Sequence, residues 1–131
     1  MEVNIVLNKI VPGDLTLVEL YHTENHYDKI VLNDVLDYIE PAHLVEELTK
    51  IRSKLTEQGV ITLQSFDLYE ISYGIVNDQI STIDYNNMTM NRKQILCVAD
   101  LRFVFHTLKL KILNLHIDNY KYYIEAQKIG T

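Results

Sequence analysis

Residues 29–66 read KIVLNDVLDYIEPAHLVEELTKIRSKLTEQGVITLQSF, and the fold turns on this stretch. Consecutive Ile30, Val31 and Leu32 give the unbroken apolar run of a strand buried on both faces. Glu40-Pro41 opens a helix, because proline suits the first helical turn, where its missing N–H would have had no intrahelical partner. Leu44, Leu48, Ile51 and Leu55 recur at helical spacing and Val45 widens the stripe, as in a helix lying on a sheet. Gly59 falls where a left-handed helix stop is expected, and Val60–Phe66 resumes as a β-branched strand. Together these predict a βαβ unit with a right-handed crossover and two parallel strands.

In open parallel sheets, ligands bind beyond the carboxyl ends of the strands. Asn33 and Asp34 lie at that end of the first strand and Asp67 at that end of the second. The competing reading is that Asp34 and Asp37 cap or solvate a loop before a helix. Residues 67–89 are polar, tyrosine-bearing and weakly periodic, which predicts a loop or short hairpin of the kind that often covers a site. Tyr69, Tyr73 and Tyr85 either line a pocket there or pack the loop with their hydroxyls in water. Asn91 and Gln94 have capping-box spacing, and Cys97, Leu101, Val104 and Leu108 form the stripe of a second amphipathic helix. The end of the chain predicts two strands joined around Asp118-Asn119.

A chain of 131 residues supports one core and one domain. No apolar run reaches the length needed to cross a bilayer, and the N-terminus lacks a secretory signal, so the expected location is cytoplasmic. The formal net charge of -6 argues against wrapping nucleic acid. Lys50, Arg52 and Lys54 interleave with Glu46, Glu47 and Glu57 as a solvated helix face rather than a basic patch. Glycine scarcity, with only Gly13, Gly59, Gly74 and Gly130 present, disfavours any function that needs several glycines in one loop. The composition, low in glycine and carrying many Ile, Asn and Tyr residues, would suit an AT-rich genome such as that of a virus or its host.

Two other chemistries have weak signals. Glu19, His22 and His26 lie close in sequence, but their spacing departs from that of the helical zinc proteases, and no metal is predicted. Ser65 ends a strand without the glycines of a nucleophile elbow, and His106 and His116 sit in apolar patterns, which leaves a hydrolase as the weakest candidate. Cys97 is the single cysteine and more often packs than reacts in such a pattern.

Residues 27–39, YDKIVLNDVLDYI, resemble the fourth strand and following segment of the class I S-adenosylmethionine-dependent methyltransferases. The resemblance continues through LTEQG and VITLQSF, which look like that family's glycine turn and fifth strand, and through the closing helix and hairpin. It covers roughly Tyr27 to Ile129, and it implies a reduced Rossmann-like methyltransferase sheet: α/β, with parallel central strands, flanking helices and a C-terminal antiparallel hairpin.

The resemblance also implies a site. The family grips its cofactor at a glycine-rich turn after the first strand, which here would be Val3–Leu7, so Leu7 and Asn8 stand at cofactor positions, with Lys9 after them. Glu19, near the end of Leu15–Leu20 read as a second strand, matches the acid that holds the ribose. Asn33 and Asp34 match positions facing the cofactor's reactive end and the substrate, and Asp67, Tyr69 and Tyr73 would face the acceptor. Residues 8–14 are too few for a parallel crossover between those first two strands, so Val3 to Leu20 is expected to form a hairpin or irregular pair around Pro12-Gly13. The implied activity is methyl transfer from S-adenosylmethionine. The alternative is a catalytically inactive assembly module that forms a dimer or binds a protein partner through the Met1-to-Leu20 edge.

Overall fold

The structure is a computed structural model that describes residues 1–130. Five strands form one sheet in the order β1-β2-β3-β5-β4, with β1 at Glu2–Ile5, β2 at Tyr27–Asn33, β3 at Leu55–Phe66, β4 at Leu110–Asp118 and β5 at Lys121–Lys128. Strands β1, β2 and β3 run parallel, and β5 and β4 follow as an antiparallel pair. The helices are α1 (Leu17–His22), α2 (Leu44–Ser53), α3 (Leu68–Val76), α4 (Thr82–Thr89) and α5 (Val98–Thr107). Among the described residues, no helix is long and apolar enough to cross a membrane.

The register aligns apolar side chains in rows across the sheet. Val3, Ile30, Ile61 and Ala126 form one row, and Ile5, Leu32, Leu63 and Ile124 form the next. All eight are buried. Both parallel crossovers step in the same direction along the sheet, and two right-handed crossovers in one direction place their helices on one face. Leu20 of α1, Leu44, Leu48 and Ile51 of α2, and Leu101 and Phe105 of α5 fill that covered side. The opposite face carries Lys29, Val31, Thr62, Gln64, Tyr123 and Glu125, all only partly covered. The run Ile30–Leu32 is therefore a strand buried chiefly on one face, with Val31 pointing the other way.

Several sequence expectations are corrected. Leu15–Leu20 is not a strand: Thr16 and Glu19 make a reciprocal capping box, and Leu17–His22 is helical. Of the hairpin or irregular pair expected for Val3 to Leu20, the irregular pair is what forms. β1 pairs β2 in parallel, and its contact with the following segment is one parallel bridge, Ile5 to Leu15. Residues 68–76 and 82–89, expected as loop or hairpin, are helices that begin at the cap residues Asp67 and Ser81. The cap of α5 is Cys97, whose amide meets Asp100 at 3.5 Å, not Asn91. The hairpin loop is Asn119-Tyr120, one residue beyond the expected pair, with both residues at positive φ.

Gly59 does not stop a helix. The helix ends at Ser53, and Gly59 lies inside β3, where the two steps from Tyr27 to Lys29 are matched by the five from Leu55 to Val60. A Cβ on Gly59 would meet the Thr56 carbonyl oxygen at 2.9 Å and the Tyr27 carbonyl oxygen at 3.1 Å. Both obstacles are backbone, so the irregularity must shift to admit a side chain. Gly59→Ala is expected to destabilise the protein by roughly 1–3 kcal/mol in urea unfolding; an unchanged midpoint would show that this bulge yields freely.

Candidate functional site

Strand β3 carries the inward alternation of Ile61 and Leu63 one step further, to Ser65, which is buried across from Tyr122. A hydroxyl under cover needs a partner. The turn after β2 supplies it: Leu36–Tyr38 forms a single 3₁₀ turn that drops Asp37 beneath the sheet end, its side chain 0% exposed. Ser65 Oγ donates to Asp37 Oδ2.

Arg92 completes the cluster from the connection between α4 and α5. Its Nη1 donates to Asp37 Oδ2 at 2.5 Å and lies 3.3 Å from Ser65 Oγ, while Nη2 reaches Asp34 Oδ1 at 3.5 Å. Nε donates to the Met88 carbonyl at 2.8 Å. The guanidinium carbon lies 5.0 Å from the Phe66 ring centroid and 5.3 Å from that of Tyr38, close enough for cation–π attraction. The connection is held independently of this side chain. Lys93 and Gln94 donate their backbone amides to the Asp37 carbonyl at 2.7 and 3.1 Å, and the Gln94 side chain donates to the carbonyls of Leu36 and Ile39.

Asp34 sits at the carboxyl end of β2 with φ +56, in the left-handed region that non-glycine residues seldom adopt. Its amide donates to the Gln64 carbonyl at 2.8 Å, and its carboxylate lies between Arg92 and Lys121, whose Nζ is 3.7 Å away. Burial pushes the Asp37 carboxyl above the usual carboxylate range; the Ser65 hydrogen bond and Arg92 pull it down and the Asp34 charge adds to the rise, with burial prevailing.

Asp67 is buried and has a different task. Its Oδ2 accepts from Glu70 N at 3.0 Å and its Oδ1 accepts from Val98 N at 3.0 Å, so one carboxylate caps α3 and α5 together. Asn33 is exposed and points onto the open sheet face, where it lines a shallow groove of about 360 Å³ with Lys29, Gln64, His116 and Tyr123. Leu7 and Asn8 are exposed just beyond β1. Glu19 accepts the Thr16 amide at 3.1 Å and pairs with Lys9 at 3.3 Å; the backbone hydrogen bond, then Lys9, holds its carboxyl below the usual range. Tyr69 and Tyr73 are exposed on α3. His22 Nδ1 lies 2.7 Å from the Val18 carbonyl of its own helix, and among the described residues no group of three His, Cys, Asp or Glu side chains gathers as a metal site.

The structure thus brings Asp34 together with Asp37 and leaves Asn33, Glu19 and Asp67 in other surroundings. Sequence reasoning missed Arg92 and Lys121. Arg92 stands in the polar run NRKQ and meets Asp37 and Asp34 across 55 and 58 residues, a separation on which local periodicity is silent.

No family model and no curated protein matches the sequence. Solved structures do match in shape. An O-methyltransferase family 2 protein from Planctomyces limnophilus, in complex with apigenin, superposes with a TM-score of 0.65 at 16% identity over 84% of this chain and 33% of its own. A S-adenosylmethionine-dependent methyltransferase from Methanosarcina mazei gives 0.61 at 14% identity over 86% and 65%. Magnesium protoporphyrin IX methyltransferase from Synechocystis, with bound S-adenosylhomocysteine, gives 0.59 at 14% identity over 84% and 48%. The chain has a methyltransferase-like α/β fold and spans between a third and two thirds of these neighbours' length.

Two outcomes test the site. Asp67→Ala is expected to cost about 2–3 kcal/mol through two lost caps and to speed hydrogen exchange at the Glu70 and Val98 amides together; faster exchange at one alone would refute the shared cap. For Asp37, a raised native pKa means that the native state binds the proton before the unfolded state as pH falls, so the carboxyl favours folding more at low pH. The wild-type melting temperature is therefore expected to gain on that of Asp37→Asn as pH drops from neutral towards the ordinary carboxylate range. The opposite slope would mean that Arg92, not burial, governs the group.

Proposed function

We propose that this chain is a methyltransferase-like module that does not transfer methyl groups and acts by association, with a second copy of itself as the partner. The observation that carries this reading is the engagement of Asp34 and Asp37 by Arg92 at the strand ends, where a reacting acid would need to be free. Support comes from the residues that the methyltransferase resemblance assigns to S-adenosylmethionine, which do not fit it in this arrangement. Leu7 and Asn8 place side chains where a close backbone approach is needed, Glu19 is engaged by Thr16 and Lys9, and α1 has only six residues. The association half draws on Leu7, Ile10, Val11 and Val18, apolar side chains each exposed within the Met1-to-Leu20 segment, with Ile10 at 88%. Apolar side chains that join in a contiguous exposed patch mark an association surface.

A second reading, a S-adenosylmethionine-dependent methyltransferase, is favoured by the left-handed conformation of Asp34, because strained backbone gathers at working sites. In it Glu19, Leu7, Asn8 and Asn33 would hold the cofactor, Asp34 with Asn33 would face the reacting centre, and Asp67, Tyr69 and Tyr73 would meet the acceptor.

Isothermal titration with S-adenosylmethionine and S-adenosylhomocysteine separates the two. No saturable heat at millimolar ligand is expected; saturable binding that disappears in both Glu19→Ala and Asp34→Ala would show a cofactor site and favour the enzymic reading instead, with acceptor screening to follow. Sedimentation is expected to show self-association that Ile10→Asp weakens, and a monomer at every concentration would remove the association half.

A further inference from the structure

Arg92 is enclosed in a particular way. Two carboxylates meet its Nη atoms at 2.5 and 3.5 Å, and two aromatic rings approach its carbon at 5.0 and 5.3 Å. Rings plus carboxylates around a planar cation are the contacts by which proteins recognise a free guanidinium group. We propose that Asp34, Asp37, Tyr38 and Phe66 form a guanidinium-binding site that the chain fills with its own Arg92, which thereby acts as an internal ligand closing the strand ends.

Three features distinguish this from an ordinary ion pair. The acceptors exceed what Arg92 satisfies: Asp37 Oδ1 is buried with no hydrogen-bond partner among the described residues. The enclosure also attracts a second cation, since Lys121 Nζ lies 3.7 Å from Asp34 Oδ2 and 5.0 Å from the Phe66 ring centroid. Finally, walls and occupant belong to different parts of the chain. The walls come from the ends of β2 and β3 and the turn after β2, whereas Arg92 enters from the α4–α5 connection.

That separation makes the site testable. The amides of Lys93 and Gln94 hold the connection to the Asp37 carbonyl without help from the Arg92 side chain. Truncating Arg92 should therefore empty the enclosure without removing its walls. An alkylguanidinium from solution then has rings, carboxylates and the Ser65 hydroxyl waiting for it. In the intact protein the same ligand must displace Arg92, whose side chain is already tethered and only 9% exposed.

The experiment is chemical rescue of Arg92→Ala. The probe is ethylguanidinium, and ethylurea, of the same shape and neutral, isolates the charge. Binding is read by melting temperature and by amide shifts in nuclear magnetic resonance. Ethylguanidinium is expected to bind Arg92→Ala saturably in the millimolar range, to raise its melting temperature and to shift the Asp37, Ser65 and Phe66 amides. Ethylurea should do neither, and the wild type should stay silent. Adding Asp34→Asn to Arg92→Ala should weaken binding about tenfold, the scale of one charge-assisted hydrogen bond. A folded Arg92→Ala that shows no saturable response, or responds equally to ethylurea, overturns the proposal. Should Arg92→Ala be unfolded alone, recovery of structure with ethylguanidinium but not ethylurea supports it, and no recovery overturns it. The probe contains no nucleoside, so the result stands apart from whether S-adenosylmethionine binds.

Discussion

The register of the three parallel strands governs everything else in this molecule. Val3, Ile30 and Ile61 lie in one row and Ile5, Leu32 and Leu63 in the next, all turned to the helices. A slip of one residue would turn each of these side chains to the open face and bury Lys29, Thr62 and Gln64 in their place. At roughly 1.5–3 kcal/mol for each large apolar side chain buried, no competing pairing is close. The same alternation dictates the polar cluster, because the next inward position on β3 after Leu63 is Ser65. Where the apolar rows end, a hydroxyl is committed to the covered side, and Asp37 and Arg92 are the groups that satisfy it.

Stability alone does not account for that choice. Removing one member of a buried ion pair typically costs about 3–5 kcal/mol, yet replacing the whole pair with apolar side chains is often neutral or better. Asp37 shows the strain of the arrangement, since burial raises its proton affinity against the pull of both Arg92 and Ser65. What the cluster does provide is position. It joins the end of β3, the turn after β2 and the α4–α5 connection at one point, and the backbone bonds from Lys93 and Gln94 to Asp37 fix the same alignment independently.

The sequence disclosed most of the βαβ unit because its signals are local: Pro41 at the start of the 3₁₀ turn that leads into α2, the spacing of Leu44, Leu48 and Ile51, and the β-branched strand after them. Errors arose where two local signals competed. Leu15–Leu20 carries a strand-like apolar pattern, but Thr16 and Glu19 cap a helix there and the cap prevails. Gly59 is compatible with a helix end or a bulge, and only its close approach to the Tyr27 and Thr56 carbonyls distinguishes them. Of the candidate site, Asp34 was legible from its place at a strand end. Its partners were not, because Arg92 and Lys121 reach it through the tertiary fold, and a charged residue in a polar run looks the same in sequence whether it faces water or a buried carboxylate.

The two acidic centres at the strand ends differ in how firmly they are engaged, and this difference bears on what the module can bind. Asp67 is held by backbone amides of α3 and α5; a ligand that takes its oxygens leaves a helix uncapped. Asp34 and Asp37 are held by side chains, and a side chain can rotate away while the backbone stays in place. A cation that is to reach the buried Asp37 must exchange with Arg92, and the chain's own guanidinium sets the affinity it must exceed. A tethered competitor acts at high effective concentration. The closed state is thus the expected resting state, and Asp34 keeps its left-handed backbone within a neutralised cluster whether or not a ligand ever arrives.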